Sequence, residues 1–139
     1  MPTLTLKTSF PLAAPAARRI AAALTDLTAR CLGKRAEVTA VMVEAGCVAA
    51  WTIGADLAHP PTAWLEISVT AGTNSAAEKA AFIEAAYALL AQLPETAQGM
   101  GPEGLALASY VIVRELPATD WGYGGRTQQA RQAERMAAA

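Results

Sequence analysis

From Thr3 to Thr8 apolar and polar residues alternate, with Leu4 and Leu6 on one side and Thr3, Thr5 and Lys7 on the other. That period of two is the pattern of a half-buried strand. Beyond Phe10-Pro11-Leu12 the period lengthens: Ile20, Leu24, Leu27 and Cys31 recur at helical spacing, Pro15 suits a first turn, and Gly33 follows as a stop. A strand rich in β-branched residues is predicted over 38–44, and Trp51-Thr52-Ile53-Gly54-Ala55 closes the unit. Residues 55–62, with Pro60-Pro61, read as a linker. The same order then returns. Residues 64–70 alternate, Ser75-Ala76-Ala77-Glu78 is a capping box, and Phe82, Ala86, Leu89, Leu90 and Leu93 form an apolar stripe that Pro94 ends. A Gly-rich loop over 98–104 leads to a predicted strand over 105–115 and to Trp121-Gly122-Tyr123-Gly124-Gly125.

Trp51 recurs as Trp121 and Glu44 as Glu115, an offset of roughly 70 residues, which marks a tandem β-α-β duplication rather than a solenoid. The repeat units are 2–58 and 63–125 within one domain, 1–139. Each unit should pair two parallel strands through a right-handed crossover. Two units side by side give an α+β fold: a four-stranded sheet with two helices on one face. The other face is expected to be apolar and uncovered, and so to need a partner. Residues 126–139, polar and Ala-rich, read as a frayed helix or a disordered tail.

Composition sharpens this picture. Apolar residues make up 53% and charged residues 17% of the chain, a balance that favours burying surface in an oligomer. No apolar run is long enough to span a bilayer and no signal peptide is readable, so a cytoplasmic protein is expected. A net charge of −1 without a basic run argues against nucleic acid. Cys31 and Cys47 lack metal or redox spacing and read as packing residues in a reducing compartment. With one histidine, His59 in the linker, and no clustered acids, no metal site is expected. The glycines at 122, 124 and 125 do not open a helix, which excludes a phosphate loop. Glu44 and Glu115 end equivalent strands and read as structural.

The candidate chemistry lies at the N-terminus. Removal of Met1 leaves Pro2 as a secondary amine at the head of the first strand. Free α-amino groups titrate at about 7.7–8.0, and burial or a nearby cation pushes that value down. Such an amine is a general base poised near neutrality.

Pro2, the doubled β-α-β pattern and the segment from Tyr110 to Gly125 together resemble the tautomerase superfamily over roughly residues 2–125. The second unit is most similar to the 4-oxalocrotonate tautomerase family. Leu32-Gly33-Lys34 also resembles the macrophage migration inhibitory factor branch. The resemblance implies a homotrimer with three sheets around a barrel-like centre, acting on a small 2-oxo/enol carboxylate without a cofactor. It implies Pro2 as catalytic base and Lys34 as holder of the substrate carboxylate. Tyr110 would reach the neighbouring chain's Pro2 pocket, Trp121 would form its apolar wall, and Ala71 would line it through main chain. Position 63, where the second unit begins, is Ala rather than Pro, so one site per chain is expected. The paired arginines that grip a dicarboxylate in 4-oxalocrotonate tautomerase are absent, with Leu12, Thr39 and Tyr110 at those positions, and Ile112 stands where the inhibitory-factor branch has asparagine. A monocarboxylate with an apolar body suits the remaining set. Two alternatives stay open: a non-catalytic trimeric binding protein of the same fold, and a Pro2-iminium enzyme such as a decarboxylase, or a dehalogenase.

Overall fold

A computed structural model describes residues 1–57, 60–93 and 104–138. Strand β1 (Thr3–Thr8) lies at the centre of a four-stranded sheet. Helix α1 (Ala14–Leu32) carries the chain over one face to β2 (Ala40–Ala45), which runs parallel to β1 from Thr3↔Ala40 to Thr8↔Ala45. A short hairpin, β3 (Thr52–Ile53) with β4 (Asp56–Leu57), closes the first unit. Strand β5 (Ala63–Thr70) then pairs antiparallel with β1. Helix α2 (Ala76–Leu90) crosses back to β6 (Tyr110–Leu116), parallel to β5. The sheet order is thus β2-β1-β5-β6, two β-α-β units joined along their first strands. A second hairpin, β7 (Gly122–Tyr123) with β8 (Arg126–Thr127), leads directly into helix α3 (Gln128–Ala138).

The helix signals behave as their chemistry requires. Gly33 adopts φ 65°, and its N–H donates to Ala29 O, ending α1 in a left-handed cap. At α2 the Ser75 hydroxyl accepts from Glu78 N–H while the Glu78 carboxylate accepts from Ser75 N–H, at 3.1 and 2.8 Å. Those bonds hold the Glu78 carboxyl below its ordinary range. The alternating strand residues Leu4, Leu6, Leu65, Ile67 and Val69 meet Ile20, Leu24 and Leu27 of α1 and Phe82, Ala86 and Leu90 of α2 in one buried cluster.

Four expectations are corrected. The strand placed over 105–115 begins only at Tyr110. Leu105 and Ala106 are drawn into the core instead, where Ala106 N–H donates to Pro61 O at 2.8 Å and the Tyr87 hydroxyl donates to the carbonyls of Leu105 and Ala106. The strand placed over 38–44 starts at Ala40, because 36–38 close a 3₁₀ turn. Cys31 is half-buried against the core, whereas Cys47 is exposed. The helix-free face of the sheet is mixed rather than apolar: it carries Lys7, Glu66, Ser68 and Arg114 beside Met42, Trp64, Tyr110 and Ile112. On that face Arg114 pairs with Glu66 at 3.3 Å and the Trp64 indole donates to Glu66 at 3.0 Å. Residues 58–59 and 94–103, which include His59, the Pro94 stop and most of the Gly-rich loop, lie outside the described residues. Among the described residues no helix is long and apolar enough to cross a membrane.

Candidate active site

Pro2 sits at the entrance to β1 with its side chain fully buried, and its carbonyl accepts from Ala40 N–H at 3.2 Å, the first rung between β1 and β2. Beside it opens a cavity of about 220 Å³. Three parts of the chain converge there. The end of α1 contributes Gly33, Lys34 and Arg35, the end of β5 contributes Val69 and Thr70 with Thr73 beyond it, and the C-terminal hairpin and helix contribute Tyr123, Gln128, Gln132 and Arg135. Three cations and no Asp or Glu line it among the described residues.

Local folding explains how each arrives. The left-handed Gly33 cap turns the chain sharply off α1, which delivers Lys34 back toward the sheet. Lys34 Nζ donates to Thr73 Oγ1 at 2.8 Å, and Thr73 Oγ1 is itself tied to Thr70 O at 2.6 Å. Burial pushes the Lys34 amine below its ordinary value, while Glu78 and Glu115 pull it back only in part. Arg35 is engaged by Glu37 at 2.9 Å, whereas Lys34 and Arg135 make no ion pair among the described residues.

Helix α3 is fastened across the mouth of the site. The Arg131 guanidinium lies 3.9 Å over the Tyr123 ring and donates to Tyr123 O at 3.1 and 3.0 Å. Arg126 pairs with Glu134, and the main-chain N–H groups of Gln128 and Gln129 donate to Trp121 O and Ala118 O. Gln128, Gln132 and Arg135 then fall at i, i+4 and i+7, on the single stripe that faces the cavity. Tyr123 and α3 were not among the residues singled out from sequence, although that spacing within the tail was the available signal.

The amine at the chain start is held below its ordinary value, first by burial and then by Lys34, Arg135 and Arg35. With Met1 in place Pro2 N is an amide, and Met1 O accepts from Gln128 Nε2 at 3.3 Å.

The other expected site residues lie elsewhere in the single chain. Tyr110 is exposed, opposite Trp64, with ring centroids 5.3 Å apart at the end of the sheet remote from Pro2. Trp121 precedes β7 but does not line the cavity, where Tyr123 stands instead, and its indole N–H is buried without an acceptor among the described residues. Ala71 follows the cavity-lining Thr70 and spends its N–H on Leu116 O. The β1–β2 ladder opens at Thr3↔Ala40 and the β5–β6 ladder at Trp64↔Tyr110, so Thr3 corresponds to Trp64 and the counterpart of Pro2 is the buried Ala63. The Ala63 nitrogen is a main-chain amide whose N–H donates to Ser109 Oγ at 3.0 Å. No second amine exists there.

No protein-family model and no curated protein sequence matches the chain. Solved structures do. A fused 4-OT, a wild-type symmetric trimer, superposes with a TM-score of 0.71 at 22% identity, covering 93% of this chain and 98% of that one. A macrophage migration inhibitory factor-like protein from Entamoeba histolytica gives 0.64 at 17% identity, over 91% and 97% of the two chains. A malonate semialdehyde decarboxylase inhibited by 3-bromopropiolate gives 0.66 at 18% identity, over 95% and 96%. Over more than nine-tenths of its length the chain shares the fold of the fused 4-OT, the macrophage migration inhibitory factor-like protein and the malonate semialdehyde decarboxylase.

Proposed function

We propose that this chain is a cofactor-independent keto–enol tautomerase of small 2-oxo/enol carboxylates, with Pro2, freed by loss of Met1, as its base. The observation that carries the proposal is a buried proline at the entrance of β1, beside a cavity lined by cations of which Lys34 and Arg135 have no ion-pair partner among the described residues. A small, electropositive, partly desolvated cavity is suited to one compact anion. Lys34 and Arg135 hold the carboxylate, and their charges, with burial, keep the Pro2 amine unprotonated near neutrality. The lone pair on Pro2 N takes the enol O–H proton and leaves an enolate. As the enolate oxygen closes the 2-oxo carbonyl, the C=C electron pair takes the proton back from the prolinium at carbon, so the base is regenerated and no atom is gained or lost.

The trimeric fused 4-OT supports a homotrimer as the assembly, and in it Tyr110, Trp121 and Ala71 remain proposed substrate contacts, Tyr110 from a neighbouring chain. The exposed Tyr110 and the mixed free face of the sheet are compatible with such contacts. The test is turnover of aryl and alkyl enol-pyruvates, followed by ultraviolet absorbance, in protein shown by mass to lack Met1. Pro2→Ala should lose more than about 100-fold in kcat/KM while keeping the oligomer, since the general base alone accounts for that range. Full activity in Pro2→Ala refutes the proposal. One observation favours a second reading: while Met1 is held by Gln128, Pro2 N is an amide, and the cavity is left as an anion site without the Pro2 base. Retention of Met1 in protein from its own host would establish that reading.

A further inference from the structure

We propose that Gln128 is the positioning residue for the Pro2 nitrogen: its side-chain amide holds the Pro2 N–H, so that the nitrogen lone pair faces the cavity. This rests on the reading of Pro2 as a free amine.

Gln128 is 3% exposed, one of the few buried polar residues of the chain, and its side chain lines the same cavity as Pro2. The side chain's hydrogen bond runs from Nε2 to Met1 O, at 3.3 Å. That oxygen and Pro2 N are attached to the same carbon, roughly 2.2 Å apart by standard amide dimensions. The Gln128 amide therefore stands within about 5.5 Å of the Pro2 nitrogen. Loss of Met1 removes the acceptor and leaves a buried amide without a partner, beside a secondary amine that has gained one N–H. A buried polar group left unpaired is destabilising, and these two groups satisfy each other. A glutamine amide presents either donor or acceptor by turning about its last torsion, so Oε1 can accept the Pro2 N–H. A neutral secondary amine has one N–H and one lone pair. Fixing the first fixes the direction of the second.

The anchor is itself well held. Gln128 N–H donates to Trp121 O, Gln129 N–H donates to Ala118 O, and Arg131 clamps Tyr123 from the next turn of α3. The charged and titratable groups facing the amine are Lys34 and Arg35 after α1, Tyr123 in the hairpin and Arg135 on α3. The three cations disfavour protonation. An acceptor on the N–H favours it, so Gln128 opposes them and its replacements move the amine in opposite directions.

The experiment is a pH titration of the Pro2 nitrogen by ¹⁵N NMR in protein lacking Met1, for the parent chain, Gln128→Met and Gln128→Glu, beside kcat and KM for each. Gln128→Met, similar in size but without an acceptor, should lower the Pro2 pKa by about half a unit to one unit. It should also lower kcat about 10-fold with KM changed less than about twofold. Gln128→Glu restores the acceptor and adds a negative charge, so it should raise the Pro2 pKa by about one unit or more. It should recover kcat at pH values above the new pKa. A role confined to holding α3 in place would move neither pKa in this opposed way. Shifts of less than about 0.2 unit in both variants, with circular dichroism unchanged, overturn the inference. Opposed shifts without turnover of any enol acid support the inference and count against the tautomerase reading. Normal turnover with unmoved pKa values sinks the inference alone.

Discussion

Replacing Lys34 by methionine removes one charge from the candidate site while keeping a side chain of similar length. Lys34 Nζ is tied only to Thr73 Oγ1 among its described contacts, so stability should change by less than about 0.5 kcal/mol. The effects should fall on the site. A sphere of about 220 Å³ is roughly 7.5 Å across, so a cation on its wall acts on Pro2 N at roughly 7 Å. At that separation one unit charge is worth about 0.6 kcal/mol in water and about 2.4 kcal/mol at an effective dielectric of 20. Because the cavity opens to solvent, the low half of that range applies, about half a unit to one unit of pKa. The sign follows from charge: Lys34 disfavours a protonated neighbour, so its removal raises the Pro2 pKa. The base works unprotonated, and the acid limb of the kcat/KM profile should therefore move to higher pH by the same amount. Loss of a charge-assisted hydrogen bond to the substrate carboxylate, worth about 1.5–3 kcal/mol, should raise KM about 10- to 100-fold, partly relieved by Arg135. The assay is the pH dependence of enol-acid ketonisation between pH 5 and 9. An acid limb that stays fixed or moves to lower pH refutes the electrostatic reasoning, and an unchanged KM refutes the assignment of Lys34 as anion holder.

Other perturbations probe other links. In the parent chain, KM for an enol acid should begin to rise below the ordinary lysine range as pH increases, because burial lowers the Lys34 pKa; a KM flat through that range in a buffer series would contradict this. Phe82 is fully buried between α2 and the sheet, and Phe82→Ala should cost about 3–5 kcal/mol in urea unfolding. Ser75→Ala removes one half of the capping box and should cost about 1 kcal/mol by the same measurement, with activity unchanged. At Gly122 an added Cβ would meet the Arg126 carbonyl oxygen at 2.0 Å, so Gly122→Ala should open the β7–β8 hairpin and release α3. Proteolysis within 126–139 should then accelerate, and an unchanged cleavage rate would show that the hairpin does not hold the helix.

Much of the architecture is legible in the sequence because it rests on local rules. Period-two alternation in 3–8 and 64–70, the Gly33 stop and the Ser75–Glu78 box each act over a few residues, and each recurs where its pattern lies. Misreadings arise where tertiary packing overrides pattern. Leu105 and Ala106 look like strand residues, yet they are buried, their carbonyls accept from the Tyr87 hydroxyl, and Ala106 N–H donates to Pro61 O. Lys34 was reachable as a cation beside Pro2. Arg135 was not, because its position depends on α3 folding back from the β7–β8 hairpin, a long-range event written only faintly in the spacing of Gln128, Gln132 and Arg135. Tyr123 rather than Trp121 reaches the cavity because the hairpin turn sets which neighbour faces inward, and composition cannot decide that. The duplication is visible in the tryptophans and terminal glutamates, and the strand registers place Ala63 opposite Pro2 in the second unit, as the sequence suggests.

The most direct test of a nucleophilic, unprotonated Pro2 amine is to treat the purified protein with an acetylenic 2-oxo acid and sequence its N-terminal peptide by tandem mass spectrometry. The account predicts a chain lacking Met1 with one adduct on the Pro2 nitrogen, suppressed as pH falls through the amine's lowered pKa and by saturating carboxylate ligand. An N-terminal peptide that retains Met1 and carries no adduct, or labelling confined to Cys31 and Cys47, would contradict it.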